Sequence, residues 1–305
     1  MKKLFIIVLS LVMARCLMAQ GSAETYIAKG NQYFEQGFPA QAVECYNKAL
    51  EIGGDNAKAY YNMALAYANM ELYKQAIETF KKMETLGFSS NESLRNMGLC
   101  YSRIGDPSKA IEAWKAAVEK NSRDAVSYYY MGNAYIMKGQ SKNAMASWAK
   151  AVEINPVYGA VYSSMGSYYE QAGLYGKAID SYRKALKIMP NDVNLCLALG
   201  NLCMELDEYN DAIDYYKRAI NYDSAYADAY CNLGAALAKK DRHEEAIEAY
   251  LSALEYKPKD ANTQYNMGVS YFRLHNTPKA RECMLAALKV DPKHEASKHA
   301  LKVMR

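Results

Sequence analysis

Small, apolar and aromatic residues recur along this chain every 34 residues, and the spacing within each period is helical. Counting position 1 from Ala23, copies begin at residues 23, 57, 91, 125, 159, 193, 227 and 261, and eight of them run to His294 without insertion or deletion. Position 8 is always small: Gly30, Ala64, Gly98, Gly132, Gly166, Gly200, Gly234 and Gly268. Position 20 is alanine in every copy, from Ala42 to Ala280, and position 27 is alanine except at Met83. Position 24 is large: Tyr46, Phe80, Trp114, Trp148, Tyr182, Tyr216, Tyr250 and Met284. Positions 4, 8 and 11 share one face of a first helix, and positions 20, 24 and 27 share one face of a second. In the stretch YYYMGNAY this assigns Tyr128, Gly132 and Tyr135 to the core. Gly37, Gly105, Gly139 and Gly173 at position 15 mark the turn inside the pair. Pro156, Pro190, Pro258 and Pro292 at position 32 close the second helix or open the next linker. One pair is too thin to bury its own apolar face, so neighbouring pairs must stack on a shared core.

This pattern resembles the tetratricopeptide repeat family over nearly the whole of residues 23–294. The resemblance implies an all-α fold: a right-handed superhelical solenoid of eight tetratricopeptide-type helix pairs, with 295–305 as a C-terminal capping helix. Departures are local. The second repeat has Met83 at position 27 and turns at MELY, without glycine, while the eighth has Gln264 at position 4 and Met284 at position 24.

In the family the first helices line a concave groove, and positions 2, 5, 6, 9, 12 and 13 face the ligand. Carried onto this chain, those positions hold a row of asparagines: Asn31, Asn62, Asn96, Asn133, Asn201, Asn232 and Asn266. Asparagine is a mediocre helix former, but its amide both donates to and accepts from an extended peptide backbone. The competing account is that these amides bond only to the adjacent helix. Aromatic groove candidates are Tyr61, Tyr129, Tyr130 and Tyr265, with Phe34 and Phe272, beside apolar Ile27, Leu65, Leu99, Ile136, Met137, Leu197, Met204 and Val269. Rings of this kind concentrate binding energy when a partner covers them, and about half are expected to be open. The family's carboxylate clamp does not fit: Asn31 and Asn62 match it, but Ile27, Glu92 and Asn96 stand where it needs cations.

Residues 1–22 read as a signal peptide: Lys2 and Lys3, an apolar run from Leu4 to Ala14, and Ala19 before the first choice of cleavage point. Arg15 is irregular there, and it stands before Cys16 where a lipidated cysteine would follow a small residue. The layout resembles that of Gram-negative exported proteins, which implies the periplasm or association with the outer membrane. Lys2, Lys3 and Arg15 leave with the segment, so 34 basic residues face 33 acidic ones, a balance that excludes a nucleic-acid footprint. Six cysteines remain, without a CxxC. They read as buried thiols, with a bridge from Cys196 or Cys203 to Cys231 as the alternative.

Four histidines, no HExxH, no serine elbow and no phosphate loop give no catalytic constellation. The expectation is a non-enzymatic scaffold without cofactor or metal, binding a protein or extended peptide through its groove. The alternative is a structural subunit that self-associates or joins an envelope complex through its ends or convex face. Cleavage after Ala19 predicts a mature chain beginning at Gln20, which N-terminal sequencing of exported protein checks.

Overall fold

The computed structural model describes residues 21–304. The proposed signal segment lies outside them except for Gly21 and Ser22, and Ser22 caps the first helix by accepting from the Thr25 N–H. The described residues form helices and turns, and they divide into two compact units, the first ending at Pro156 and the second beginning at Val157.

The first unit holds α1 (Ala23–Glu35), α2 (Pro39–Gly53), α3 (Ala57–Asn69), α4 (Tyr73–Thr85), α5 (Asn91–Arg103), α6 (Pro107–Lys120), α7 (Ala125–Met137) and α8 (Ser141–Ile154). The second holds α9 (Gly159–Gln171), α10 (Tyr175–Ile188), α11 (Val193–Glu205), α12 (Tyr209–Tyr222), α13 (Ala227–Lys239), α14 (His243–Tyr256), α15 (Ala261–Arg273), α16 (Thr277–Val290) and α17 (Glu295–Val303). Within each unit every helix packs on the one before and the one after it. The first helices of successive pairs also touch: α1, α3, α5 and α7 in one unit, α11, α13 and α15 in the other. They therefore line the inner side of each stack.

The periodic core is where the pattern places it. All eight position-20 alanines are fully buried, and the position-24 side chains are at most 5% exposed. Each buried ring contributes on the order of 1.5–3 kcal/mol of apolar transfer. The reason for a small residue at position 8 is visible in its contacts. A Cβ on Gly30 or Gly200 would come within 2.5 Å of the Tyr46 or Tyr216 ring, and one on Gly98 or Gly132 would come closer still to Trp114 or Trp148. The ring lies flat on the helix backbone. In the second repeat Ala64 faces Phe80, and in the eighth Gly268 faces the flexible Met284.

Two expectations need correcting. Tyr128 is only half-buried, as are Tyr26, Tyr60, Tyr162 and Tyr230 at the same position 4. A phenol set at the rim keeps its hydroxyl in water while its ring body covers the core. Lysines from second helices lie over several such rim rings at positions 4 and 11, including Lys48 over Tyr26 at 6.0 Å and Lys279 over Tyr271 at 5.2 Å. Ile27, taken as a groove residue, is buried instead beside Ala23, Ala49 and Ala59.

Position 15 has a positive φ in all eight repeats. Glycine occupies it at Gly37, Gly105, Gly139 and Gly173, but Glu71, Asp207, Asp241 and His275 occupy it at φ of 57–60°. The turn geometry is thus common to every repeat, and half of them adopt it against the preference of an L-residue. The proline-marked helices α8, α10, α14 and α16 end two residues before their prolines, with Asn155, Met189, Lys257 and Asp291 as C-caps. Replacing Glu71 with glycine is expected to stabilise the chain by about 0.5–1 kcal/mol, and Gly105→Ala to destabilise it by about 1–2 kcal/mol. Chemical denaturation of the two variants checks both signs.

Candidate functional site

The predicted groove residues all lie on first helices, and each unit carries a stretch of them. In the first unit the Asn31 Oδ1 accepts two hydrogen bonds, from the Tyr46 hydroxyl at 2.8 Å and from the Asn62 Nδ2 at 2.8 Å. The second unit repeats this at Asn201, which accepts from the Tyr216 hydroxyl at 2.8 Å and from the Asn232 Nδ2 at 3.2 Å. Asn133 accepts from the Trp148 Nε1 at 3.1 Å. Asn96 donates to the Tyr61 hydroxyl at 3.1 Å, joining α5 to α3.

These bonds use half of each amide. Among the described residues the Nδ2 of Asn31 and the Oδ1 of Asn62 have no partner, nor do the corresponding atoms of Asn201 and Asn232. Each pair therefore presents one donor and one acceptor on adjacent first helices, the two functions that an extended peptide unit needs. The inner half of each paired amide braces neighbouring helices, and the outer half makes no hydrogen bond to the described residues.

The aromatic residues are braced as well. Tyr130 stacks on Trp114 at 5.6 Å and tilts against Tyr129 at 5.1 Å. Tyr61 tilts against Phe80 at 6.3 Å, and burial pushes its hydroxyl pKa up. Tyr265 tilts against His294, whose ring caps α17 and contacts Asn262. All four are half-buried, and Asn201 is the one exposed residue of the asparagine row. The most open apolar side chains on first helices are Met137, 64% exposed, and Phe272, 42% exposed. Asn266 makes no hydrogen bond to the described residues and lies in a cleft between α13 and α15.

A residue that sequence reasoning did not single out ties two groove helices together. Asp124, 4% exposed, caps α7 and accepts from the Ser127 hydroxyl at 2.7 Å, from Asn91 at 2.8 Å and from Arg95 at 3.2 Å. Burial alone would raise its carboxyl, but the bonds from Ser127 and Asn91 and the Arg95 charge outweigh burial and hold it below the usual range. Arg95, a cation at groove position 5, is thereby committed to the scaffold.

All six described cysteines are free, so neither Cys196 nor Cys203 is bridged to Cys231. Cys203 lies within 4.8 Å of carboxylate oxygens of Glu208 and Asp211, and burial pushes its thiol up to about 11. No helix among the described residues is long and apolar enough to cross a membrane.

Family models described as TPR repeat match residues 30–71, 200–241 and 237–274, and others described as tetratricopeptide repeat match 57–86, 96–159, 159–192 and 261–294. The chain belongs to the tetratricopeptide repeat family. Its all-helical solenoid fold is shared with solved structures. One is YrrB, described as a TPR protein with an unusual peptide-binding site: 29% identity, TM-score 0.58, covering 63% of this chain and 99% of that one. Another is MamA, at 27% identity and TM-score 0.53, covering 56% and 94%. The C-terminal part of a TPR repeat-containing protein from Cytophaga hutchinsonii aligns over 79% of this chain and 99% of its own at TM-score 0.70, and its 21% identity speaks to fold alone. No curated protein matches the chain.

The Asp124 network gives a pH prediction. Its carboxyl is depressed in the folded state, so its contribution is complete above the unfolded value near 4 and is lost as pH falls through the folded one. Asp124→Asn should cost about 2 kcal/mol at pH 7, in line with hydrogen bonds to a charged group. The difference from the parent should narrow below pH ~4, as followed by thermal unfolding across that range.

Proposed function

We propose that this chain is a non-enzymatic scaffold that holds an extended peptide, or an extended segment of a protein, against its first helices. The fold is a typical non-catalytic interaction scaffold, and the observation that carries the reading is the half-engaged asparagine pair. Asn31 with Asn62 and Asn201 with Asn232 repeat one arrangement in separate units, each already oriented by a buried tyrosine hydroxyl. Orientation before binding lowers the entropy cost of capture. Met137 on α7 and Phe272 on α15 supply open apolar surface on other first helices of the two units. The likeness to YrrB, whose description includes a peptide-binding site, supports the same reading. The signal-like segment at 1–22 supports export, with the periplasm or the outer-membrane periphery as the place of action and an envelope complex as the setting.

A second reading has its own observation. Second helices expose Ile52, Tyr222, Leu251, Tyr256 and Leu285, between 45% and 57% each. Such residues suit self-association through the outer face, and a sedimentation series showing a concentration-dependent dimer that Leu251→Lys with Leu285→Lys abolishes would favour it.

The groove reading is tested by selecting binders from a random peptide library on the purified protein and measuring them by calorimetry. Asn201→Ala with Asn232→Ala should weaken a selected peptide about tenfold or more, the loss of two hydrogen bonds. Because the Tyr216 hydroxyl also loses its acceptor, the melting temperature should fall by several degrees, and binding is measured well below it, where circular dichroism shows both proteins folded. N-methylation of the peptide backbone should weaken it in the parent and have little further effect in the variant. Binders indifferent to asparagine replacement in both units would overturn the reading.

A further inference from the structure

Six of the position-24 rings carry a polar hydrogen, and five of these have an acceptor. Tyr46, Trp148 and Tyr216 donate to Asn31, Asn133 and Asn201 at position 9 of their own repeats. Tyr182 donates to Glu170 at 2.7 Å, and Trp114 to the Arg95 carbonyl at 3.0 Å. Where the large residue has no polar hydrogen, position 9 is apolar: Leu65 goes with Phe80, and Val269 with Met284. Tyr250 breaks the rule. Its position 9 is Ala235, and its hydroxyl has no partner among the described residues although the side chain is 2% exposed.

The missing asparagine leaves a cleft of about 440 Å³, lined by Tyr250, Ala235 and Asn266. Two more polar groups on its wall lack partners. The Ser270 hydroxyl and the His243 Nδ1 are both buried without a hydrogen bond, Ser270 being 1% exposed. Buried polar groups are nearly always satisfied, and two buried orphans beside an unpartnered phenol on one cleft call for an occupant. Lys239 and Arg273, one on each flanking helix, stand at its rim without ion-pair partners among the described residues. One anion faces them: Asp241, 96% exposed, with an oxygen 3.7 Å from the His243 Nε2. Leaving the histidine aside, two cations and one carboxylate give a surplus of one positive charge.

We propose that this cleft is a carboxylate-binding subsite, taking an acidic side chain or a chain's C-terminal carboxylate of the bound segment. The Tyr250 and Ser270 hydroxyls, the Asn266 amide and the His243 ring are hydrogen-bond donors or take a tautomer that makes them so, and Arg273 and Lys239 balance a monoanion. It is distinct from a clamp built on positions 2, 5, 6 and 9 of three first helices, because its distinguishing groups come from positions 10, 13, 17 and 24. It deepens the peptide-binding reading, but the site is argued from its own lining and is read without the native partner.

The test uses small probes on the whole protein with ¹³C-labelled histidine. Only four histidines are present, so the His243 signal is assigned with His243→Gln. N-acetylglutamate N-methylamide should shift it saturably, and the neutral glutamine analogue should not. N-acetylalanine set against its amide reports the C-terminal source in the same way. Arg273→Gln should weaken the preferred probe about tenfold, and Tyr250→Phe about three- to tenfold, the scale of one charge-assisted and one neutral hydrogen bond. Ala235→Asn restores the residue found in the first and sixth repeats, so it should keep the fold, give Tyr250 an acceptor and abolish the shift. Equal response to charged and neutral probes, no saturable response, or full binding by Ala235→Asn would each overturn the subsite. A saturable cleft response alongside library peptides indifferent to the asparagine pairs would uphold the cleft and discard the groove. Asparagine-dependent peptides with a silent cleft would do the reverse.

Discussion

Everything in this fold depends on how closely a buried large side chain lies on the backbone of its partner helix. At position 8 a glycine, or an alanine opposite the smaller Phe80, leaves room for the residue at position 24 to lie flat. That contact sets the distance between the two helices of a pair, and the alanines at position 20, with those at position 27 in every repeat but the second, let the next pair approach. Close packing of this kind tolerates little change in volume, because neighbouring rings have nowhere to move. The regularity of the repeat is the regularity of this one contact.

The same contact generates the chemistry of the inner face. A ring buried by its body still carries an O–H or N–H at its edge, and leaving that group unsatisfied costs about 1–3 kcal/mol. The edge points toward position 9 of the first helix, so position 9 becomes an acceptor wherever the ring is Tyr46, Trp148 or Tyr216. Asparagine meets that need with one atom and keeps another for something else. Stability and the polar surface of the inner face are therefore written into one side chain, and that surface is oriented by the core beneath it. Repeats that depart from the arrangement do so consistently. Leu65 and Val269 face partners with no polar hydrogen, and Trp114 turns to a backbone carbonyl. Ala235 alone leaves a phenol open, and cations gather around the opening.

Much of this was legible along the chain. Periodicity located the pairs, the buried alanines and the large side chains, because a repeat that shares its core with its neighbours must carry the same residues at the same places. The asparagine row was visible too, but not its division of labour, since sequence cannot say which half of an amide faces inward. Tyr128 reads as core and lies at the rim, and Ile27 reads as groove and is buried, because a helical wheel assigns faces and not depths. Asp124 drew no attention as a linker aspartate, yet it gathers groups from Asn91, Arg95 and Ser127 that lie up to 33 residues away.

Sequence by itself determined the family, the number of helix pairs, the turn positions and the chemistry offered on each face, since these follow from local spacing and from the sizes of residues. Tertiary structure alone decided that Glu71, Asp207, Asp241 and His275 adopt the glycine turn, that six cysteines remain unbridged, and that Tyr250 lacks what Tyr46 and Tyr216 possess. The physical reason is the same in each case. Whether a polar group is satisfied, or a backbone angle tolerated, depends on atoms brought close by packing, and a repeat unit's own letters do not contain them.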